Sequence, residues 1–415
     1  MAAPDAVRPQ TQPSSRFPCF DGLRALAALS VLLTHVAFAS GANSASILGV
    51  FFARMDGGVA VFFVLSGFLL YRPFILAHVR GRPAPAAGPF LWRRFLRIYP
   101  AYWLVVTVVI YVFADKSIPS AKVFFLDYSL LNVYFSRYAF GPLVQSWTLS
   151  AEIAFYVLVP IWAFVVSRRT ASSPRDRLRR EIVGIVVLVL VSTLYKAVVI
   201  HADLPFGRVG QLKQLLPWWL DLFGVGMLFA VGSVAVAESI WPTPLRLDRR
   251  WAPAVCWALA VAAFWLVSAG IGLPWTTPAI PVEMLWGQHY LYGLTGALLV
   301  LPAVFGPQER DTSLIRRFLT TRVMVYLGVI SYGIYLWHEP MIDRFLSWTN
   351  QQTFTVYHGD VPFAWHTSAY VSVPFFAFLV AVLALTIPAA SISWFALERP
   401  LQRLKGLFGT RVHAA

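Results

Sequence analysis

The dominant feature of this sequence is a series of apolar stretches, each roughly 20 residues long, that recur along almost the whole chain. A helix of about 20 apolar residues is long enough to cross the hydrocarbon core of a bilayer. Hydrophobic residues make up 58% of the 415-residue chain and charged residues only 13%, whereas soluble proteins carry roughly 25% charged residues. An ordinary soluble fold is therefore excluded, and much of the apolar surface must face lipid.

These stretches predict ten transmembrane helices. Their approximate bounds are 22–40, 58–77, 99–114, 148–166, 182–200, 215–237, 252–271, 284–305, 323–342 and 369–393. Backbone groups in lipid must be paired within the segment, and barrel strands would alternate apolar with polar residues, so helices are expected. We expect an all-α, multi-pass bundle of about ten helices in the cell membrane. Residues 1–18 form a disordered tail, 19–403 the transmembrane domain and 404–415 a second tail.

The distribution of basic residues predicts the orientation of the bundle. With the N-terminus inside, 25 of the 34 Lys and Arg fall in cytoplasmic segments and 7 in outside connections. This asymmetry follows the positive-inside rule and predicts that both termini, and both tails, are cytoplasmic. The net charge of +15 therefore reports topology, and no nucleic acid is expected as a partner, since no basic surface domain is present.

The first span has a competing interpretation as a cleavable signal peptide, because Ala37-Phe38-Ala39 follows an apolar run. Removal of this helix would place every later connection on the opposite side of the membrane, and the basic residues would then no longer be concentrated in the cytoplasm. The charge distribution therefore favours retention of the helix. The two cysteines, Cys19 and Cys256, exclude a disulfide framework and a cysteine-based zinc site. We expect no bound metal.

Ionisable residues inside a membrane are costly, so each one is a candidate functional residue. The first span carries Asp21, Arg24 and His35. Arg24 and His35 are eleven residues apart, which places them on one helix face about 16 Å apart along the axis. The alternative is structural: Asp21 caps the helix, Arg24 reaches lipid headgroups and His35 bonds a neighbouring helix.

A second basic site comprises Arg93, Arg94 and Arg97, which share one side of a helix among aromatic residues. The guanidinium group of arginine can donate two parallel hydrogen bonds to phosphate oxygens, so this run could hold a phosphate-bearing ligand. An interfacial helix that binds anionic lipid would carry the same pattern.

A carboxylate and an imidazole are predicted near the opposite face, where Glu152 opens one span and His338 closes another. At one depth, they could position an acceptor hydroxyl or relay its proton. A structural hydrogen bond between the two helices would use the same residues.

Taken in order, six segments resemble the membrane-bound acyltransferase 3 family, over about residues 17–403. They are 20–29 (FDGLRALAAL) with His35, 61–69 (VFFVLSGFL), 93–100 (RRFLRIYP), 146–156 (SWTLSAEIAFY), 331–340 (SYGIYLWHEP) and 398–400 (ERP). Any one segment alone would be a weak signal, but six in order are specific.

The resemblance implies ten helices that move an acyl group, usually acetyl from acetyl-CoA, from the cytoplasm onto a hydroxyl of a glycan, glycolipid or glycosylated small molecule. It matches Arg24 and His35 to the family's Arg-x10-His pair, and Arg94 and Arg97 to its Arg-x-x-Arg motif near the acyl-CoA site. It implies no permanently bound cofactor. Some members carry a fused extracytoplasmic hydrolase-like domain, which we do not expect here.

Glu152 matches the first acid of the family's Trp-Ser-Leu-x-Val-Glu-Glu motif. Ile153 stands in place of the second acid, which puts a mechanism with two carboxylates in doubt.

The residues and the resemblance together give one hypothesis: Arg93, Arg94 and Arg97 dock the CoA phosphates while His35 activates the acceptor hydroxyl or carries the acyl group. Glu152 and His338 orient the acceptor from outside. Two alternatives stay open, namely a secondary transporter or flippase for a glycan or lipid and a structural or signalling membrane protein.

Overall fold

A computed structural model of the chain describes residues 17–45, 48–114, 116–168, 173–273, 281, 284–306, 313–349, 356–358, 361–363 and 374–407. The longer helices are α1 (Cys19–Ser40), α4 (Gly58–Val79), α5 (Ala87–Thr107), α7 (Trp147–Ser167), α8 (Pro174–His201), α10 (Leu216–Ala237), α11 (Ala252–Trp265), α12 (Met284–Phe305), α15 (Ser331–Trp348) and α16 (Phe375–Ser393). The shorter ones are α2 (Ala42–Ala45), α3 (Gly49–Phe52), α6 (Ala121–Tyr128), α9 (Phe206–Leu212), α13 (Leu314–Leu319), α14 (Arg322–Val329) and α17 (Arg399–Leu401). Strands β1 (Val356–His358) and β2 (Val361–Phe363) pair antiparallel.

The helical membrane architecture predicted from the apolar stretches is confirmed. Within the described residues, eight helices are long and apolar enough to cross a membrane. The other two predicted spans, 284–305 and 323–342, are also helical, but their helices are more polar. For example, α15 carries Glu339, Asp343 and Arg344. The orientation of the bundle stays a prediction, and most of the predicted tails, 1–18 and 404–415, lies outside the described residues.

The prediction of one continuous helix over 323–342 is wrong. The chain breaks at Ile330 between α14 and α15. At this break the Ser331 hydroxyl donates to the carbonyl oxygen of Gly328 over 2.8 Å, the kind of local side-chain bond that competes with helical pairing. Gly328 also lies against the backbone of Asp21 in α1, leaving no room for a Cβ. Helix α14 therefore packs closely against α1 next to this break.

The helix predicted over 99–114 begins much earlier than expected, at Ala87. Pro89 falls in its first turn, where proline is compatible with a helix because those amides have no helical partner. As a result the three arginines of the 93–97 run lie on the same continuous helix as the span that follows, and not on a separate interfacial segment.

The centre of the bundle is the contact between α4 and α10, which is the most extensive between any two described elements. Two glycines make it possible. A Cβ at Gly67 would collide with the carbonyl oxygen of Phe223, and one at Gly226 would collide with that of Val64. Small residues that let backbones approach closely are the usual means of packing helices in membranes. This close approach fixes α4, which contributes to both cavities described below.

We expect Gly67→Val to destabilise the protein, because the added atoms must separate α4 from α10 or distort one of them, at a cost of roughly 1–3 kcal/mol. Thermal unfolding of the purified protein, followed by tryptophan fluorescence, measures this as a lower midpoint. The matched control is Gly88→Ala, since nothing lies within 4 Å of a Cβ at Gly88. Equal midpoints for the two variants would contradict the assigned packing.

Candidate active site

One cavity is lined by basic residues from two helices, and we call it the arginine cavity. It has a volume of about 90 Å³. The polar residues that line it are Arg24, Ser66, Arg94, Arg97, Thr148, Glu152, Tyr156, Ser331, Tyr332 and Tyr335. The structure therefore brings together Arg24 of α1 with Arg94 and Arg97 of α5, which are far apart in the sequence. Arg93 lies outside this lining.

Not every hydrogen-bond donor of the arginines in this cavity is paired. Arg24 forms an ion pair of 2.9 Å with Asp21, one turn earlier on α1. Arg94 lies over the rings of Phe90 and Tyr156, at 5.6 and 5.9 Å from their centroids. Within the described part of the chain its buried Nε has no hydrogen-bond partner. A buried guanidinium nitrogen without a partner favours an anionic ligand that would complete its bonding.

Glu152 lies in the arginine cavity, where the Ser66 hydroxyl donates to its Oε1 over 2.8 Å. The predicted juxtaposition of Glu152 with His338 is not what the structure shows, since each has other partners. Helix α7 begins at Trp147, so Glu152 is more than one turn into the helix and faces the arginines. Ile153, in place of the family's second acid, packs against the hydrophobic core.

His338 pairs instead with the other histidine of the prediction. The His35 Nδ1 lies 2.9 Å from His338 Nε2 and 3.3 Å from an oxygen of Glu339. His338 is fully buried, and its Nδ1 lies 3.2 Å from the carbonyl oxygen of Ile334. A carbonyl only accepts, so the His338 proton is on Nδ1 and its Nε2 accepts from His35 Nδ1–H.

These bonds determine which ring nitrogen of each histidine remains available for other contacts. With its proton on Nδ1, His35 has Nε2 as its basic nitrogen, and the carboxylate of Glu339 stabilises the imidazolium formed when that nitrogen takes a proton. His338 is enclosed, so it positions His35 and does not itself face a cavity. Sequence reasoning missed Glu339, although it follows His338 directly.

A second, larger cavity is lined in part by His35, and we call it the tryptophan cavity. Its volume is about 340 Å³. Its aromatic and polar lining includes Thr34, His35, Asp56, Phe140, Gln145, Trp147, Lys213, Gln214, Trp218, Trp219, Gln288, His289, Tyr292 and Tyr335. Except for His35, these residues were not predicted as site residues, because they come from connections and helices that meet only in the folded bundle.

The two cavities share a wall formed by Val59 and Tyr335, which line both. The hydroxyl of Tyr335 donates to the carbonyl oxygen of Gln145 over 3.1 Å and lies 2.9 Å from the hydroxyl of Thr148. The Phe62 ring packs edge-on against the Tyr335 ring at 5.9 Å. Tyr335 is therefore held in place between the arginines and His35.

The cluster of His35, His338 and Glu339 has ligand atoms within 4.8 Å of one another, as a metal centre would. The two nitrogens, however, are at hydrogen-bonding distance, 2.9 Å, whereas two nitrogens on a tetrahedral zinc at about 2.0–2.1 Å each lie about 3.3 Å apart. The donor set fits a hydrogen-bonded pair better than an ion.

We expect treatment with EDTA to leave unchanged the rate of the acyl transfer that the sequence resemblance implies, because the pairing of His35 with His338 needs no metal. The rate is measured before and after dialysis against the chelator, with metal content followed by elemental analysis. A loss of activity that Zn²⁺ restores would contradict this assignment. Excess Zn²⁺ added to the untreated protein should instead inhibit it, by competing for the two imidazoles.

Comparison with known proteins gives matches over nearly the whole described region. The acyltransferase 3 family model, described as an acyltransferase domain, matches residues 17–395. The chain is 26% identical over 376 residues to the O-acetyltransferase OatA of Staphylococcus aureus, covering 86% of this chain and 56% of that protein. No solved structure matches the chain.

Two further relatives carry names that state a substrate. The putative peptidoglycan O-acetyltransferase YrhL of Bacillus subtilis is 27% identical over 351 residues, covering 80% of this chain and 50% of that protein. The peptidoglycan O-acetyltransferase OatA of Listeria monocytogenes is 26% identical over 347 residues, covering 78% and 49%. The chain spans about half the length of the curated relatives it matches.

Proposed function

Since the chain belongs to the acyltransferase 3 family, we propose that it transfers an acyl group, most simply acetyl, from acyl-CoA to a hydroxyl of a carbohydrate-containing acceptor. The observation that carries this proposal is the pair of cavities separated by Val59 and Tyr335, one lined by arginines and the other containing His35. Each cavity suits one of the two substrates.

The arginine cavity suits the donor. CoA carries several phosphate charges, and Arg24, Arg94 and Arg97 converge where the buried Nε of Arg94 lacks a partner. Arginine binds phosphate through paired N–H donors, so these side chains would hold the CoA phosphates. The thioester end then needs to pass only Val59 and Tyr335 to reach His35.

The tryptophan cavity suits the acceptor, whose hydroxyl would lie against His35. Nε2 of His35 takes the hydroxyl proton as the oxygen attacks the thioester carbonyl carbon. The C–S bond then breaks, and the departing sulfur receives the same proton from the imidazolium. The products are the acyl ester and CoA thiol. Glu339 stabilises the imidazolium between these two steps, and His338 keeps the imidazole in the tautomer that the reaction needs.

The acceptor class is supported by the relatives, two of which are named as enzymes of peptidoglycan, a carbohydrate polymer. A ring-stacking surface of tryptophans in the acceptor cavity agrees with a sugar. Glu152, which faces the arginines, would act on the donor side, in contrast to the outside position suggested by the sequence.

The proposal is tested in proteoliposomes with radiolabelled acetyl-CoA and soluble glycosides of N-acetylglucosamine and N-acetylmuramic acid. Thiol release and label in the glycoside are measured together, with empty liposomes as the control. We expect both to rise in proportion. A transporter would move the glycoside without thiol release, and a structural or signalling protein would give neither; either result would reject the proposal.

A further inference from the structure

A group of three buried charged or polar side chains borders the tryptophan cavity and includes one of its lining residues, His289. Lys196 of α8 forms an ion pair of 2.9 Å with Asp221 of α10. Nε2 of His289 in α12 also lies at 2.9 and 3.1 Å from the two oxygens of that carboxylate, which accepts in addition from the backbone N–H of Leu222 over 3.0 Å. All three residues are at most 4% exposed. The positive charge of Lys196 balances the carboxylate, so the group is compact and electrically neutral when the imidazole is neutral.

The carboxylate determines which nitrogen of His289 carries the proton. An ionised carboxylate only accepts hydrogen bonds, so Nε2 is the protonated nitrogen and Nδ1 is left with a lone pair. Nδ1 is buried, and within the described residues it has no hydrogen-bond partner. His289 lines the tryptophan cavity, so its ring is next to any ligand bound there, and Nδ1 is the ring atom left to accept a hydrogen bond.

Two glutamines add acceptors of the same kind to the lining. The amide nitrogen of Gln145 donates to the carbonyl oxygen of Leu336 over 3.0 Å, so the side-chain oxygen, Oε1, is the atom that remains as an acceptor. That oxygen and Oε1 of Gln214 are both buried, and neither has a partner in the part of the chain that the structure describes. Three unsatisfied acceptors around one cavity call for a ligand with several donors, and a polyhydroxylated molecule supplies them.

The remaining surface next to His289 is aromatic. Trp219 lies 5.3 Å from the His289 ring and stacks on Trp147 at 5.2 Å. Its indole nitrogen donates to the carbonyl oxygen of Lys213 over 2.6 Å, so the ring is held in a fixed orientation. A sugar ring has apolar C–H faces and hydroxyls at its edge. A rigid aromatic face would pack on the C–H face, and the neighbouring polar acceptors would bond the hydroxyls.

We propose that the tryptophan cavity binds one sugar ring of the acceptor, with a hydroxyl other than the reacting one donating to Nδ1 of His289. Asp221 and Lys196 are positioning residues that hold the imidazole in the required tautomer. This inference rests on the proposed function for the identity of the cavity as the acceptor site. It adds a specificity site at which an acceptor without the matching hydroxyl is rejected, since Nδ1 would then stay unpaired.

The test measures sugar binding without any donor, using the purified full chain in lipid nanodiscs. The probes are the methyl glycosides of glucose, mannose, N-acetylglucosamine and N-acetylmuramic acid, and binding is followed by tryptophan fluorescence and saturation-transfer NMR. We expect at least one probe to bind saturably. His289→Phe keeps the ring and the pairing of Lys196 with Asp221 but removes the acceptor nitrogen, and it should weaken binding about tenfold or more.

Two further variants separate a binding role from a structural one. His289→Gln can donate to Asp221 through its amide nitrogen and offer its oxygen to the sugar, so we expect it to restore most of the affinity. Gln214→Met has nearly the same size without the acceptor oxygen and should weaken binding in the same direction. The affinity for acetyl-CoA should stay within twofold of wild type in every variant, which also reports that each is folded.

Single-deoxy analogues of the bound glycoside identify the partner of His289. One analogue should bind about tenfold more weakly than its parent to the wild-type protein, yet equally well to His289→Phe. The inference is overturned if no glycoside binds, which would make this a water-filled cavity, or if His289→Phe and Gln214→Met bind sugar as the wild type does. Normal sugar binding without thiol release from acetyl-CoA would instead reject the proposed function and leave the sugar site standing.

Discussion

Replacement of His35 by alanine should lower the rate of acyl transfer by about 100-fold or more, the scale of contribution from a positioned general base. His35 is the only ionisable side chain on α1 among those lining the tryptophan cavity, and its tautomer is fixed by the 2.9 Å contact with His338. The initial rate of label transfer from acetyl-CoA to glycoside measures the effect at saturating donor. The affinity for acetyl-CoA should change little, because the arginine cavity is left intact.

Two further variants serve as a comparison and a control for His35→Ala. His338→Ala removes the partner that orients His35 but leaves the base itself, so it should lower kcat by less than His35→Ala does, with little change in KM. His201→Ala changes an exposed histidine at the end of α8 and should have the wild-type rate. A His35→Ala protein that transfers acetyl at the wild-type rate would remove His35 from the mechanism.

Neutralising Arg94 and Arg97 together, as Arg94→Met and Arg97→Met, should raise the KM for acetyl-CoA by at least tenfold. Both side chains line the arginine cavity, and a hydrogen bond to a charged group is worth about 1.5–3 kcal/mol. Methionine preserves much of the length and apolar character of the arginine stem. The donor dependence of thiol release gives KM and kcat separately, and kcat should fall less than KM rises.

The phosphates themselves can be tested with acetylpantetheine, a donor that lacks the nucleotide and its phosphates. The wild-type protein should strongly prefer acetyl-CoA, and the double variant should lose most of that preference. Arg93→Met provides the matched control, since Arg93 lies on the same helix with the same charge but outside the cavity lining. An unchanged KM in the double variant would place the donor elsewhere, and an equal effect at Arg93 would indicate general charge attraction.

The sequence was sufficient for those parts of the structure that depend on local pattern. The apolar stretches predicted helices because backbone groups in lipid must be hydrogen-bonded within the segment. The spacing of Arg24 and His35 placed both on one face of α1, and in the structure each lines a cavity inside the bundle. The start of α5 was missed although Pro89 marks a first turn, since the apolar window began only after the arginines.

Other parts depend on contacts between helices that no local pattern records. Lys196, Asp221 and His289 belong to three different helices, and each alone resembles an isolated polar residue in a membrane span. Glu152 and His338 have different partners because the depth and rotation of α7 and α15 are set by tertiary packing. The break at Ile330 likewise arises where Gly328 meets the backbone of α1.

The shared wall of Val59 and Tyr335 has a consequence for the bilayer as a permeability barrier. If the arginine cavity opens to the cytoplasm and the tryptophan cavity to the outside, as the proposed function requires, a direct opening between them would form an aqueous path along which ions could leak whenever both substrates were absent. With Tyr335 tied to Gln145 and Thr148, only the small group being transferred has to pass between them. If the donor and acceptor bind as proposed, the protein would carry a chemical group through the membrane while CoA, sugar and salt each stay in their own compartment.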